Sequence, residues 1–287
     1  VGAIDLGREW DFAGPAHAGP MSGVAMLGFR DRAGAGLDLR VAGAPVVTVL
    51  IGFGHDALTV DNADGRQRLT GFVAGLPIKA TRIRGERAEC VEVRLPPLRA
   101  RALLGVAPTD LGSTVLGLED LWGSPVSSLR ERLAEAGTWE QRFTLTKTFL
   151  AQRESSAPPP DPEVVETWNR IIASRGQVRV AALAESCGWS RKRLWARFEA
   201  QTGLTPKRVA MLVRFRGAVD GLLAGRPAAE VAAACGYTDQ AHLCRDVSIF
   251  TERPPGALMA QHLPTVARYR HRAWGTFFQY RAASTDR

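Results

Sequence analysis

The stretch CGYTDQAHLCRD, residues 235–246, gathers side chains well suited to chemistry, with Cys235 and Cys244 placed around His242. Thiolate and imidazole are good zinc ligands, but a structural zinc site needs about four of them converging. The spacing defeats that use. On a helix turning about 100° per residue, His242 and Cys244 point ~200° apart, and Cys235 lies before the turn at Gly236. No metal is expected, and Cys235 reads as a small residue packed at a turn. Before residue 150 the histidines are only His17 and His55, and the cysteine is Cys90, in the middle of an apolar run. No G-x-S-x-G, P-loop or dinucleotide fingerprint occurs, and GFGH (52–55) reads as a turn. The expectation is therefore a chain that is not an enzyme and carries no cofactor. Four cysteines are too few for a disulfide framework, and no apolar run approaches the roughly 20 residues of a membrane span. With no signal-peptide pattern at its start, the chain is expected to be cytoplasmic, without a membrane partner.

The elements that hold 235–246 in place are visible as a repeat. LAESCGWSRKRLWARFEAQTGLTP (183–206) aligns with VAAACGYTDQAHLCRDVSIFTERPP (231–255). Cys187-Gly188 matches Cys235-Gly236, Trp189 matches Tyr237, Leu194 matches Leu243, and Phe198 matches Val247. In each copy a short helix ends at cysteine, glycine turns the chain at positive φ, an aromatic packs into the angle, and Ser190 or Thr238-Asp239 caps a second helix. Leu194 with Phe198, and Leu243 with Val247 and Phe250, share buried faces. This is a helix-turn-helix used twice.

Charge separates the chain in the same way. Residues 1–160 hold 18 basic and 18 acidic side chains, residues 161–262 hold 14 against 10, and residues 263–287 hold five against one. All the excess of +8 lies beyond residue 160, which suits a nucleic-acid-facing end.

Two such units within about 100 residues resemble the DNA-binding domain of the AraC/XylS family of transcription regulators. The resemblance covers 163–262 and includes the connecting helix, where Arg214, Ala218 and Leu222 follow the family's R-x-x-x-A-x-x-x-L pattern, and GYTDQAHLCRD, which matches its second-unit signature. It departs from the family at Glu252, where glycine is usual, at Pro254, at Val247, where a larger aromatic is usual, and at Ala196, where arginine is frequent. A recognition helix enters the major groove by its N-terminal end. With Leu194 and Phe198 inward, Arg191, Lys192, Arg193 and Trp195 are the candidate DNA contacts of the first unit. Those of the second are Gln240, Ala241, Cys244 and Arg245. The resemblance implies double-stranded promoter or operator DNA as partner. It also implies a first domain that binds a small-molecule effector or forms a homodimer, and contact with RNA polymerase if the protein is an activator.

The fold class expected is α+β. Residues 1–151 form a β-rich sensor or dimerisation domain, for which a cupin-like fold is one form, with a helical C-terminal part. Residues 152–162 are a Pro-rich linker, 163–262 an all-α domain of two helix-turn-helix units, and 263–287 a basic aromatic tail. APVVTVLIGF reads as a buried strand, and AECVEVRL as one with Val91, Val93 and Leu95 on a single face. LRARALLGV, PVSSLRERLAEA and WEQRFTLTKTFLAQR read as helices. Trp10, Phe12, Phe29, Phe53, Phe72 and Trp122 are either core or pocket lining, and the effector-binding residues are unknown. The tail, with Tyr269, Trp274, Phe277, Phe278 and Tyr280, either docks on the protein or touches DNA. The function expected is sequence-specific transcription regulation. Nonspecific architectural DNA binding, or an enzyme domain fused to a DNA-binding module, are the alternatives.

Overall fold

A computed structural model describes residues 9–17, 23–62, 65–76, 79–111, 114–154, 158–252, 254–255 and 265–274. Phe277, Phe278 and Tyr280 of the tail lie outside these, as does the side chain of Trp274.

The first half is β-rich, with ten strands among the described residues: β1 (Trp10–His17), β2 (Ala25–Asp31), β3 (Leu37–Val41), β4 (Val47–Gly52), β5 (Leu58–Asn62), β6 (Gly65–Leu69), β7 (Gly71–Ala74), β8 (Thr81–Gly85), β9 (Glu89–Leu95) and β10 (Val115–Gly117). They pair antiparallel into a six-stranded sheet, β1-β2-β9-β4-β7-β10, and a four-stranded sheet, β3-β8-β5-β6. Leu50, Phe72 and Cys90 of the larger sheet pack with Leu39, Val60 and Ile83 of the smaller. The other face of the larger sheet carries Val49, Ile51, Val91 and Val93 into a second core. Covering that face are helices α1 (Pro97–Leu104), α2 (Pro108–Leu111), α3 (Leu118–Trp122), α4 (Ser124–Glu135) and α5 (Trp139–Ala151). Strands β4 and β9 are thus buried on both faces, which accounts for the near-continuous apolar run of APVVTVLIGF. Helix α5 starts at a capping box, in which Thr138 Oγ1 accepts from the Gln141 amide and the Gln141 side chain accepts from the Thr138 amide.

The second half is helical: α6 (Pro162–Ala173), α7 (Val180–Ser186), α8 (Arg191–Thr202), α9 (Pro206–Leu223), α10 (Ala228–Ala234), α11 (Gln240–Thr251) and α12 (Thr265–Trp274). Its core gathers Leu194 and Phe198 of α8, Leu212, Phe215 and Ala218 of α9, and Leu243, Val247 and Phe250 of α11. Phe215 and Phe250 meet with ring centroids 4.6 Å apart. Val247 is fully covered although it is smaller than the aromatic usual at that position.

Two features fix this half to the first. Leu76 and Leu98, from the β-rich half, are members of the helical core. The end of α8 also meets α2 at Gly203, whose φ is +86°; a Cβ there would lie 2.6 Å from the Pro108 carbonyl oxygen, so the approach requires glycine. Helix α12 then runs back to the sandwich. Val266 enters its core, Tyr269 stacks on Phe12 at 4.2 Å, and the Tyr269 hydroxyl donates to the Gly14 carbonyl at 2.9 Å. Arg270 donates to both oxygens of Glu92 at 2.6 and 2.8 Å, and Arg94 donates to one of them at 3.1 Å. The described part of the tail therefore docks on the first half.

Glu92 is fully buried on β9, on the strand face opposite Val91 and Val93. Burial alone would raise its pKa, but the charges of Arg270 and then Arg94 outweigh this and hold it at about 2. A carboxylate held below its unfolded value of about 4.3 stabilises the fold above that value, and the contribution disappears as pH falls towards 2. Glu92→Gln should therefore be destabilised at pH 7, and its deficit against wild type should shrink from pH 5 downwards, as read from urea midpoints. In the helical core, Leu194→Ala should cost about 2–5 kcal/mol in the same measurement.

Candidate nucleic-acid interface

Each helix-turn-helix unit is built by local chemistry that the two copies share. Helices α7 and α10 end at Cys187 and Cys235, followed by Gly188 and Gly236 at φ +64° and +72°. Both cysteines are half-buried rather than buried. Ser190 Oγ accepts from the Arg193 amide at 3.2 Å and caps α8, while Asp239 Oδ1 accepts from the His242 amide at 2.6 Å and caps α11. Of the Thr238-Asp239 pair it is Asp239 that caps. Tyr237 is buried in the second turn under the Arg214 guanidinium, 5.4 Å from the ring centroid. Burial, and next the Asp246 carboxylate, push the Tyr237 hydroxyl above its ordinary pKa, so it stays neutral.

The inward face of each recognition helix leaves the other face open. On α8, Arg191, Lys192 and Arg193 are exposed and Trp195 is half-buried. The Arg193 guanidinium rests on Trp189, 4.4 Å from the ring centroid, which leaves Arg191 and Lys192 as the extended cations of the first turn. Arg197, one turn further on, is turned from the groove-facing side by a two-pronged bond to Asp161 at 2.7 Å, at the start of α6. On α11, Gln240, Ala241 and Arg245 are exposed and Cys244 is half-buried. His242 packs edge-on to Tyr237 at 5.1 Å, with Nδ1 3.5 Å from Thr238 Oγ1. Among the described residues no group of three or more His, Cys, Asp or Glu is arranged to hold a metal. Nor is any described helix long and apolar enough to cross a membrane.

Ile249 is a residue that sequence reasoning passed over. It is the one large hydrophobic exposed among the described residues, at 50%, and it lies one helical turn beyond Arg245. The signal was present in the spacing, because Leu243, Val247 and Phe250 turn inward and place Ile249 beside Arg245 on the outer face. An apolar side chain there is suited to a thymine methyl.

Glu252, the departure noted in sequence, ends α11 in the left-handed region at φ +55°, the conformation glycine takes cheaply and other residues do not. Its carboxylate accepts from Arg40 of β3 at 2.7 Å. The residue that makes the turn costly thus ties the end of the second recognition helix to the first half.

Two helix-turn-helix units on one connecting helix, with outward basic and amide side chains at both recognition helices, define a DNA-binding domain. Residues 183–261 match the family model described as "Helix-turn-helix domain". This segment is an AraC-type helix-turn-helix domain. None of the curated protein sequences matches the chain. Among solved structures, ToxT from Vibrio cholerae O395 is similar at 11% identity and a TM-score of 0.47, over 78% of this chain and 96% of ToxT. A ToxT structure from strain SCE256 with unsaturated fatty acid bound aligns at 12% identity and 0.46, over 78% and 93%. The AraC-like transcriptional activator CuxR aligns at 17% identity and 0.30, over 66% and 75%.

Lys192→Ala and Arg245→Ala should each weaken DNA binding while leaving the melting temperature near wild type, since both side chains are exposed. A lost base contact should cost about 1–3 kcal/mol and relax preference at one position, whereas a lost phosphate contact should weaken all sequences alike and lower the salt slope by about 1. Fluorescence anisotropy across a salt series distinguishes the two. Cys244→Ser should leave fold and metal content unchanged by circular dichroism and elemental analysis.

Proposed function

We propose that the chain is a sequence-specific transcription regulator that reads promoter DNA with α8 and α11 and is controlled through its β-rich half. The observation that carries this reading is the pair of side-chain-capped recognition helices, each presenting exposed polar side chains from its first turn. Arg191 and Lys192 of α8 are suited to guanine edges or phosphates, and Gln240 of α11 to an adenine edge. Two such helices in one chain can occupy successive major grooves about 34 Å apart, so a single copy can bind an asymmetric site. A small-molecule effector acting at or beside the β-rich half is the form of control proposed, because that half shares a core with the DNA-binding half.

The test is binding to DNA selected from a fragmented genome that includes the chain's own upstream region. Selected sites should bind at least about 10³-fold more tightly than random DNA. Affinity should fall steeply with salt, by about 0.9 in log–log slope per phosphate neutralised. A specificity ratio near one across all fragments would indicate an architectural binder and defeat the proposal.

A further inference from the structure

A cavity lies between the two halves, away from the outer faces of α8 and α11. Its volume is about 150 Å³, the size at which an apolar cavity takes up benzene. Phe29, Leu50 and Phe72 of the six-stranded sheet form one wall, and Phe215 and Val219 of α9 another. The charged and imidazole side chains of the lining are Arg40, Arg94, Arg216, Arg270 and His271, with no Asp or Glu among the described lining residues.

Carboxylates stand behind these cations. Glu92 takes Arg94 and Arg270, Asp220 lies 3.2 Å from Arg216, and Glu252 holds Arg40. His271 Nδ1 is 3.0 Å from Arg216 Nη2, against 3.5 Å from Asp220. A guanidinium only donates, so at the shorter contact the ring nitrogen accepts and the imidazole is neutral. Four guanidiniums against three carboxylates leave one positive charge in excess. Arg216 carries the deficit most plainly, because its Nε is buried with no hydrogen-bond partner among the described residues. Burial draws its pKa below the ordinary arginine value; Asp220 opposes this in part and Arg270 adds to it. A buried cation so placed is costly, and an anion beside it removes that cost.

We propose that this cavity binds a small apolar monoanion of about one ring's size, a carboxylate on a compact hydrophobic body. The carboxylate meets the arginines around Arg216, and the body lies among Phe29, Phe72 and Phe215. Since the walls belong to the sandwich and to α9 and α12, an occupant favours the arrangement in which the two halves are held together. The consequence for DNA rests on the regulator reading given above, whereas binding itself does not.

Titration calorimetry on the full chain with benzoate, benzyl alcohol and benzamidine separates charge from shape. Benzoate should bind saturably, benzyl alcohol at least about tenfold more weakly, and benzamidine not at all. Val219→Phe, which fills the cavity, should lower benzoate affinity by at least about tenfold with circular dichroism unchanged. Arg216→Gln should erase the preference for benzoate over benzyl alcohol. The comparison of the three probes is made on the wild-type chain and stands whether or not a variant folds. Absence of saturable benzoate binding, equal binding of all three probes, or undiminished binding by folded Val219→Phe would overturn the proposal. With selected DNA present, benzoate should change the wild-type Kd by about fivefold or more and leave Val219→Phe unmoved. Benzoate binding with no change in DNA affinity would overturn the coupling and keep the site. Failure to find specific DNA would overturn the regulator reading instead.

Discussion

A carboxylate with no access to water, set in the middle of a strand, has to be answered by cations. Glu92 is answered by Arg94 two residues along β9 and by Arg270, 178 residues away on α12. Removing either partner leaves charge stranded where solvation is poor, a loss larger than any exposed pair could cause. This requirement brings the chain back to the sandwich after the second helix-turn-helix. Tyr269 on Phe12 and Val266 in the sandwich core follow from that return. So does the position of α9, whose Arg216 and Asp220 lie against His271 of the returning helix.

The two helix-turn-helix units solve one packing problem with different attachments. Both use cysteine, glycine, aromatic and cap in the same order, yet the first is held from behind by α1, α2 and Asp161, and the second by Arg40 through Glu252. The first attachment is largely apolar and continuous with a core. The second is an exposed ion pair at a left-handed residue, a kind of contact that contributes little on its own. The second unit is therefore held to the β-rich half the more lightly of the two.

Much of this was legible in the sequence where the information is local. The repeat gave both units, their glycine turns and the Ser190 and Asp239 caps. Period-two alternation placed Val91, Val93 and Leu95 on one face of a strand, and helical spacing placed Lys192 and Arg245 outward. What stayed hidden depends on contacts between distant residues. The other face of β9, with Glu92 and Arg94, alternates as a solvent-facing edge does, and nothing near it announces Arg270. The aromatics divided in a way that periodicity does not distinguish: Phe29 and Phe72 line the cavity, Phe53 and Trp122 pack on the helical side of the sheet, and Trp10 and Phe12 pack at its edge. The short elements β10, α2 and α3 escaped notice because each is too brief to show a period.

The proline-rich stretch before α6 looks, in sequence, like a seam at which one half could be traded for another during evolution. Leu76 and Leu98 contradict that appearance. They fill the interior of the helical half from the far side of the seam, so a foreign partner would have to bring apolar side chains of matching size to the same two places. The halves of this chain are thus bound to change together: a substitution in α1 is a substitution in the DNA-binding core, and recombination at the linker yields a working protein only among lineages that have kept this junction.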